Sequence, residues 1–330
     1  MSLSNNRINI VYWRAGAGTD RDVSILESLL KEEGFEVRHI STPLQSGKIR
    51  RLCNFMSQFR SLFFPVRAQF HLELIYREQF SHSPVNFILP NPEFTDVDVF
   101  SKLACEPTVL CKTRHAVKLF ESVPIDHKFL GFTAEDCFRD GLKKDFKKFL
   151  HVSGKSPHKG TGRIVDAWKK NPHWPTLTII RSKTDALGED RWKIPQTDNI
   201  ELIEDWLDED EFLRIQNEHG IHLCPSEMEG FGHYIVEAIS VGSVTVTTDA
   251  PPMSEHVTHE FGFLVKGESV EKHNMSERIM VDPEELEGTI NRILAMPESS
   301  LAAMGNAARQ RYLKANSEFR DNFRNIIKSL

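Results

Sequence analysis

The 330 residues hold no apolar run near the roughly 20 that a bilayer-spanning helix needs, and residues 1–7, MSLSNNR, lack the apolar segment of a signal peptide. The expectation is a cytoplasmic protein. Cysteine is scarce. Cys53, Cys105, Cys111, Cys137 and Cys224 are odd in number and include no Cys-x-x-Cys pair, so reduced thiols are expected rather than a disulfide framework or a zinc site. Fourteen histidines form no His-Glu-x-x-His or His-x-His pattern, and His222, His233, His256 and His259 read as structural or surface residues; no metal is expected. Excess positive charge is also missing. A formal net charge of -6 gives no global case for nucleic acid. Gly16-Ala17-Gly18 lacks the third glycine of a dinucleotide fingerprint, and Gly154-Lys155-Ser156 follows a single glycine, too little for a Walker A loop. What is present is ordinary: 40% hydrophobic and 27% charged residues, ample for a core, in a length that suits about two domains.

Against this background residues 224–238, CPSEMEGFGHYIVEA, stand out, because two carboxylates lie eight positions apart across a Gly-Phe-Gly turn. Gly230 and Gly232 keep Glu229 in a loop, while residues 234–241 form an apolar run that can be a helix ending at Gly242. Glu237 then falls about one turn inside that helix. The loop amides and the helix N-terminus would favour an anion such as a diphosphate. Spacing alone also allows a solvated helix start with two surface glutamates. Residues 244–248, VTVTT, read as a strand broken at Asp249-Ala-Pro-Pro, which completes a loop, helix, strand order typical of an α/β sheet. In such sheets ligands collect at the carboxyl ends of the strands.

Pro225-Ser226, Glu229-Gly-Phe-Gly232, Glu237-Ala238 and the strand after Gly242 resemble the nucleotide-binding signature of retaining GT-B glycosyltransferases of the glycosyl-transferases-group-1, glycogen-synthase-like superfamily. Ser243-Val244 departs from the family, which has a proline there. The resemblance implies that Glu229 lies near the donor sugar, that Glu237 takes the ribose hydroxyls, and that Gly230, Phe231 and Gly232 line the donor site. Upstream, residues 149–153 read as a strand, 154–160 as a loop and 162–170 as a helix. Gly154-Lys155 through Lys159-Gly160 resembles the family's Gly-Arg…Lys-Gly segment, with lysine for arginine and a loop one residue shorter than the common form. That match implies that Lys155 and Lys159 hold the donor diphosphate, though lysine is a point charge where arginine would be a fork.

The amino end reads as a strand over 7–12, a turn over 13–19, a helix over 22–33 closed by Gly34, and a strand over 35–40. Gly16 and Gly18 match the family's cleft-facing glycine loop only loosely. Residues 48–70 alternate basic and aromatic side chains; they read as a packed helix with a solvated basic face or, alternatively, as peripheral membrane contact. Strands over 70–75, 85–89 and 108–111 end in polar clusters that suggest a cleft wall. Glu73, Asn91 and Glu93 are the acceptor-side candidates, joined by Lys112 and Arg114, which surface charge would also explain. Helices are expected over 282–295, 299–312 and 318–330.

The expected fold is α/β, two Rossmann-like domains in the GT-B architecture with a nucleotide-sugar cleft between them. The expected divisions are 1–146 on the acceptor side, 147–313 on the donor side, and a helix over 314–330 crossing back. The expected function is metal-independent transfer, with retention, from a nucleotide diphosphate sugar, UDP- or GDP-linked, to a hydroxyl of a glycan, a lipid-linked acceptor or a small molecule. No cofactor is expected. A catalytically silent nucleotide-sugar-binding module and a sugar-nucleotide epimerase are the alternatives.

Overall fold

The structure, a computed structural model, describes residues 6–13, 17–41, 66–73, 75, 77–102, 107–183, 194 and 197–330. Gly16 and residues 48–65 of the basic-aromatic segment lie outside them. The chain divides into two compact units. One comprises residues 1–133, 273–275 and 316–330, the other residues 134–272 and 276–315.

The first unit is built on six parallel strands: β1 (Arg7–Tyr12), β2 (Glu36–Ser41), β3 (Ala68–Leu72), β4 (Asn86–Leu89), β5 (Thr108–Cys111) and β6 (His127–Phe129), in the order β2-β1-β3-β4-β5-β6. β3 and β4 are buried at every position, as expected for strands covered on both faces, and the polar side chains within them are paired there: Gln69 Nε2 donates to Asn86 Oδ1 at 3.3 Å and His71 Nε2 meets the same oxygen at 3.1 Å. Helix α1 (Ala17–Glu32) begins five residues before the expected helix, so Gly18 is helical rather than part of a turn. Its apolar stripe of Val23, Leu26, Leu29 and Leu30 is buried. After β4 the Pro-Asn-Pro sequence admits only a short 3-10 turn, Pro92–Phe94. Helix α2 (Arg114–Phe120) starts on Thr113, whose hydroxyl accepts from the Ala116 amide.

The second unit repeats the plan with β7 (Asp145–Gly154), β8 (Leu177–Arg181), β9 (Ile200–Ile203), β10 (His219–Cys224), β11 (Val244–Thr248) and β12 (Gly262–Val265), parallel in the order β12-β11-β10-β7-β8-β9. The central pair β10 and β11 is buried at every position. Threonines can occupy so dry a strand because their hydroxyls are satisfied. Thr247 Oγ1 donates to the Cys224 carbonyl at 2.8 Å and Thr248 Oγ1 to the Ser226 carbonyl at 2.6 Å, which ties the loop after β10 to its neighbour. Helices α3 (Thr161–Lys170), α4 (Glu209–Glu218), α5 (His233–Ser240) and α6 (Met253–His256) lie between the strands, and Phe149, Trp168, Leu177, Ile221, Leu223 and Val246 form the middle of the core.

Two features of the carboxyl third differ from expectation. A hairpin of β13 (Gly267–His273) and β14 (Ser276–Val281) follows β12, where the polar sequence suggested no strand. After α7 (Pro283–Ala295), capped by Asp282 as expected, the two closing helices are one continuous helix, α8 (Glu298–Lys328). Leu301, Ala308, Tyr312, Phe319, Phe323 and Ile327 are all buried, at spacings of seven and four that never lose phase. With no glycine or proline between 306 and 328, nothing in the chain stops the helix at Asn316-Ser317. In the second unit Arg309 forks onto Asp136, and in the first unit Asn322 donates to the Leu130 carbonyl. Among the described residues no helix is long and apolar enough to cross a membrane.

Candidate functional site

In the second unit the loops that leave β7 and β10 at their carboxyl ends are locked together. Gly160 adopts φ 71°, and a Cβ there would lie 2.2 Å from the Pro225 carbonyl oxygen, so the loop before α3 touches the loop after β10 as no other residue would permit. The Glu227 amide donates to the His158 carbonyl at 2.8 Å and closes the same contact. Underneath, His151 of β7 is fully buried. One ring nitrogen pairs with the Leu223 carbonyl and the other with the Thr161 hydroxyl, each at 2.8 Å. Burial, with a contribution from Lys159, lowers its pKa to about 4, so the ring is a neutral strut.

On this platform Lys159 and Glu229 form an ion pair, with the Lys159 Nζ 3.8 Å from the centre of the Tyr234 ring. The same carboxylate oxygen of Glu229 accepts from the Ser226 hydroxyl, whose oxygen also meets the Tyr234 hydroxyl. Because the Ser226 proton is directed at the carboxylate, the phenol is the donor in that second bond. Burial, then the neighbouring Cys224 and Glu229, push the Tyr234 pKa well above its ordinary value, which keeps that proton in place. Burial likewise raises the Cys224 thiol, so no thiolate chemistry arises beside the motif.

Gly232, at φ 97°, turns the chain into α5. Phe231 is buried edge-on against His233 and His256, and His256 pairs with the Phe231 carbonyl at 2.6 Å. Burial lowers the His256 pKa to about 4, and also lowers that of His222, which pairs with the Gln216 carbonyl. Glu237 is buried in the second turn of α5. Gly154, with φ 57°, ends β7, and Lys155 follows it, exposed and without an ion pair among the described residues. Thus Lys159, Glu229 and the Gly230–Gly232 turn come together, and Lys155 is left reaching into solvent from the same loop.

Sequence reasoning missed Glu227. It is 5% exposed and receives Arg278 Nε from β14 at 2.6 Å, with His158 Nδ1 at 3.6 Å. Burial opposes its ionisation, but the His158 and Arg278 contacts outweigh this and hold it below the usual carboxylate range. Arg278 lies 51 positions away on a hairpin the sequence did not disclose.

In the first unit the acceptor-side candidates gather at the carboxyl ends of β3, β4 and β5. Asn91 Nδ2 donates to Glu73 Oε1 at 3.1 Å, and Lys112 Nζ donates to Asn91 Oδ1 at 3.0 Å. The Lys112 ammonium is ion-paired with Asp22 of α1, both side chains being 2% exposed, and lies 5.1 Å from the Phe132 ring centre. Asp22 is the member that no local pattern could supply, since 90 residues separate it from Lys112. Glu93 is buried in the 3-10 turn, and its carbonyl accepts from Asn274 Nδ2 at 2.6 Å. Arg114 is exposed and its guanidinium lies over the Phe129 ring at 4.4 Å.

Two six-stranded parallel sheets, each with polar side chains at its carboxyl edge, make this a protein of the GT-B architecture. Solved structures share that fold over nearly their whole length. A glycosyltransferase from Rickettsia africae ESF-5 is 14% identical, with 98% of both chains covered and a TM-score of 0.76. A sucrose-phosphate synthase from Thermosynechococcus elongatus is also 14% identical, with 98% of both chains covered and a TM-score of 0.71. HepE from Anabaena, solved in complex with UDP, is 15% identical, covering 98% of this chain and 100% of its own, with a TM-score of 0.67. No curated protein sequence matches. The family model for Glycosyl transferases group 1 matches residues 133–311, more than half of the chain. The chain belongs to that family, and its reaction is glycosyl transfer.

Proposed function

We propose that the protein transfers a sugar, with retention at the anomeric carbon, from a nucleotide diphosphate sugar to an acceptor hydroxyl. The observation that carries this reading is the Lys159–Glu229 pair, set beside the glycine turn and the start of α5 on two interlocked loops. The chemistry demands stabilisation of a departing diphosphate while an oxocarbenium-like centre is attacked. Lys155 and Lys159 supply positive charge for the leaving group. The Gly230–Gly232 amides and the α5 N-terminus add oriented dipoles. Glu229 accepts hydrogen bonds from sugar hydroxyls, and Glu237 does the same for ribose. UDP- and GDP-sugars are the donors we favour; HepE has been solved with UDP and with UDP-glucose.

A thermal-shift screen of UDP-, GDP-, ADP- and CDP-sugars tests the donor. One of them, at about 100 times its dissociation constant, should stabilise the folded chain by about 2.7 kcal/mol. NMR of the product's anomeric centre then tests retention. No shift with any donor would sink the donor assignment, inversion would sink the stereochemistry, and binding without transfer or hydrolysis would leave a silent binding module.

A further inference from the structure

We infer that Glu227 is a positioning residue for the lysine loop, residues 154–160: joined to Arg278 of β14, it braces that loop so that Lys155 and Lys159 meet the outer phosphate of the donor. This role rests on the nucleotide diphosphate sugar reading, and it adds to that site a strand the motif does not contain.

Three observations support it. First, Glu227 is a junction of three elements of the second unit. Its amide donates to the His158 carbonyl and its carbonyl accepts from the Ile279 amide of β14, each at 2.8 Å. Its carboxylate repeats both links through side chains. Arg278 Nε donates to Oε2 at 2.6 Å, and the buried His158 Nδ1 lies 3.6 Å from the same oxygen. Second, the lysine loop is wedged at one end only. Gly154 and Gly160 both have positive φ, 57° and 71°, but a Cβ on Gly160 would strike Pro225 whereas one on Gly154 would meet nothing within 4 Å. The stretch that carries Lys155 therefore needs a second hold, and His158 on Glu227 provides it.

Third, the ion pair is set where its net stability is small. The Glu227 side chain is 7% exposed, and desolvation of a buried pair offsets much of its attraction. Main-chain bonds already join the loops, so what the pair contributes is orientation. Orientation matters more for lysine than for arginine: a guanidinium fork aligns itself on a phosphate, while an ammonium is a point charge directed by the backbone that carries it. Glu227 and Arg278 act through the loop, and Lys155 and Lys159 touch the donor. Glu271, the other carboxylate near Arg278 at 3.5 Å, is exposed, and such a contact contributes little.

The test titrates the full chain with UDP and UMP, and with GDP and GMP, by calorimetry, and follows amide hydrogen exchange over 154–160 without nucleotide. The ratio of monophosphate to diphosphate dissociation constants reads the grip on the outer phosphate, and partial unfolding would leave it unchanged. Glu227→Gln, which keeps the shape and removes the charge, should lower that ratio by roughly fivefold and speed exchange across the loop. Arg278→Leu, which releases the brace from the strand side, should do the same, and the double variant should lose no more than either alone. Glu271→Gln should match the wild type. A wild-type ratio near one, an unchanged ratio in the folded variants, equal loss of both nucleotides, or tighter diphosphate binding by a released Arg278 would overturn the inference. Failure of the wild type to bind either diphosphate would instead overturn the donor reading, and unchanged exchange in Glu227→Gln would then refute the brace by itself.

Discussion

Replacing Gly160 by alanine isolates the contact on which the second unit's site is built. Two costs add. At φ 71° an L-residue pays about 1–2 kcal/mol for the left-handed backbone, and a methyl group 2.2 Å from the Pro225 oxygen forces the two loops apart, an overpacking cost of about 1–3 kcal/mol. The sum is about 2–5 kcal/mol. For a unit of this size each kcal/mol shifts the melting temperature by roughly 2–4 °C, so Gly160→Ala should melt about 4–20 °C lower. Gly154→Ala is the internal control. Gly154 also has a positive φ, 57°, but a Cβ there meets nothing within 4 Å, so only the backbone cost of about 1–2 kcal/mol applies. Thermal melts followed by circular dichroism at matched concentration give the difference between the two variants, which is the steric part alone. Equal shifts for both would refute the claim that Gly160 exists to let the loops touch.

Lys159→Ala should cut turnover by roughly two or more decades, the scale of losing one transition-state donor, while circular dichroism stays native; near-normal turnover would remove the lysine from the leaving group. Lys112→Met should destabilise the chain by about 3–5 kcal/mol because it removes one charge of a buried ion pair, and Asp22→Asn in the same chain should restore part of that in a urea titration. His71 and His151 are buried and His256 is half-buried, and loss of solvent lowers each pKa from 6.5 to about 4. The unfolded chain therefore binds protons that the folded chain refuses between those values, so stability is full above about pH 6.5 and falls as the pH drops toward 4, by about 1.4 kcal/mol per pH unit for each histidine. Urea midpoints that stay level from pH 7 to 5 would contradict the neutral buried rings. Turnover in excess chelator should equal that in its absence, since lysines and helix ends supply the positive charge; a strict need for manganese or magnesium would count against the mechanism.

The parts of the structure that were legible are those whose information is local. Residues 224–238 disclosed a strand end, a glycine turn and a helix because each step has its own residue signature, and α5 begins one residue from the expected place. The five-residue error at α1 arose because Gly18 reads as a turn former, whereas a first-turn glycine weakens a helix only slightly once Val23, Leu26 and Leu30 bury its face. The continuous α8 was hidden by Asn316-Ser317, residues that favour caps in isolation but are overridden by Tyr312, Phe319 and Phe323 on one buried stripe. The hairpin of β13 and β14 is exposed over most of its first strand, so it lacks the alternation that marks a half-buried strand. Contacts between distant residues carry no local signal at all. Asp22 with Lys112, Arg278 with Glu227, and Gly160 with Pro225 are consequences of strand order, and each became visible only when the sheet brought loop ends together.

Glu229 and Glu237, eight positions apart, first suggest the acid and base of a glycosidase. The geometry around Glu229 argues otherwise. One of its oxygens already receives the Lys159 ammonium and the Ser226 hydroxyl, so that atom carries no proton to give. A carboxylate in this position is an acceptor, and its partner is the cation that the proposed mechanism assigns to the diphosphate. The two roles are therefore linked: a diphosphate that draws Lys159 away releases an oxygen of Glu229 for the sugar hydroxyls. Tyr234 is held by burial and by Ser226, and the Lys159 ammonium lies over its ring beside Glu229. On the proposed mechanism a nucleoside diphosphate lacking the sugar would leave that Glu229 oxygen with the Ser226 hydroxyl alone, whereas the intact donor would add sugar hydroxyls. The expected outcome is weaker binding of the nucleoside diphosphate than of the intact donor, read by calorimetric titration of both; equal affinities would refute the coupling.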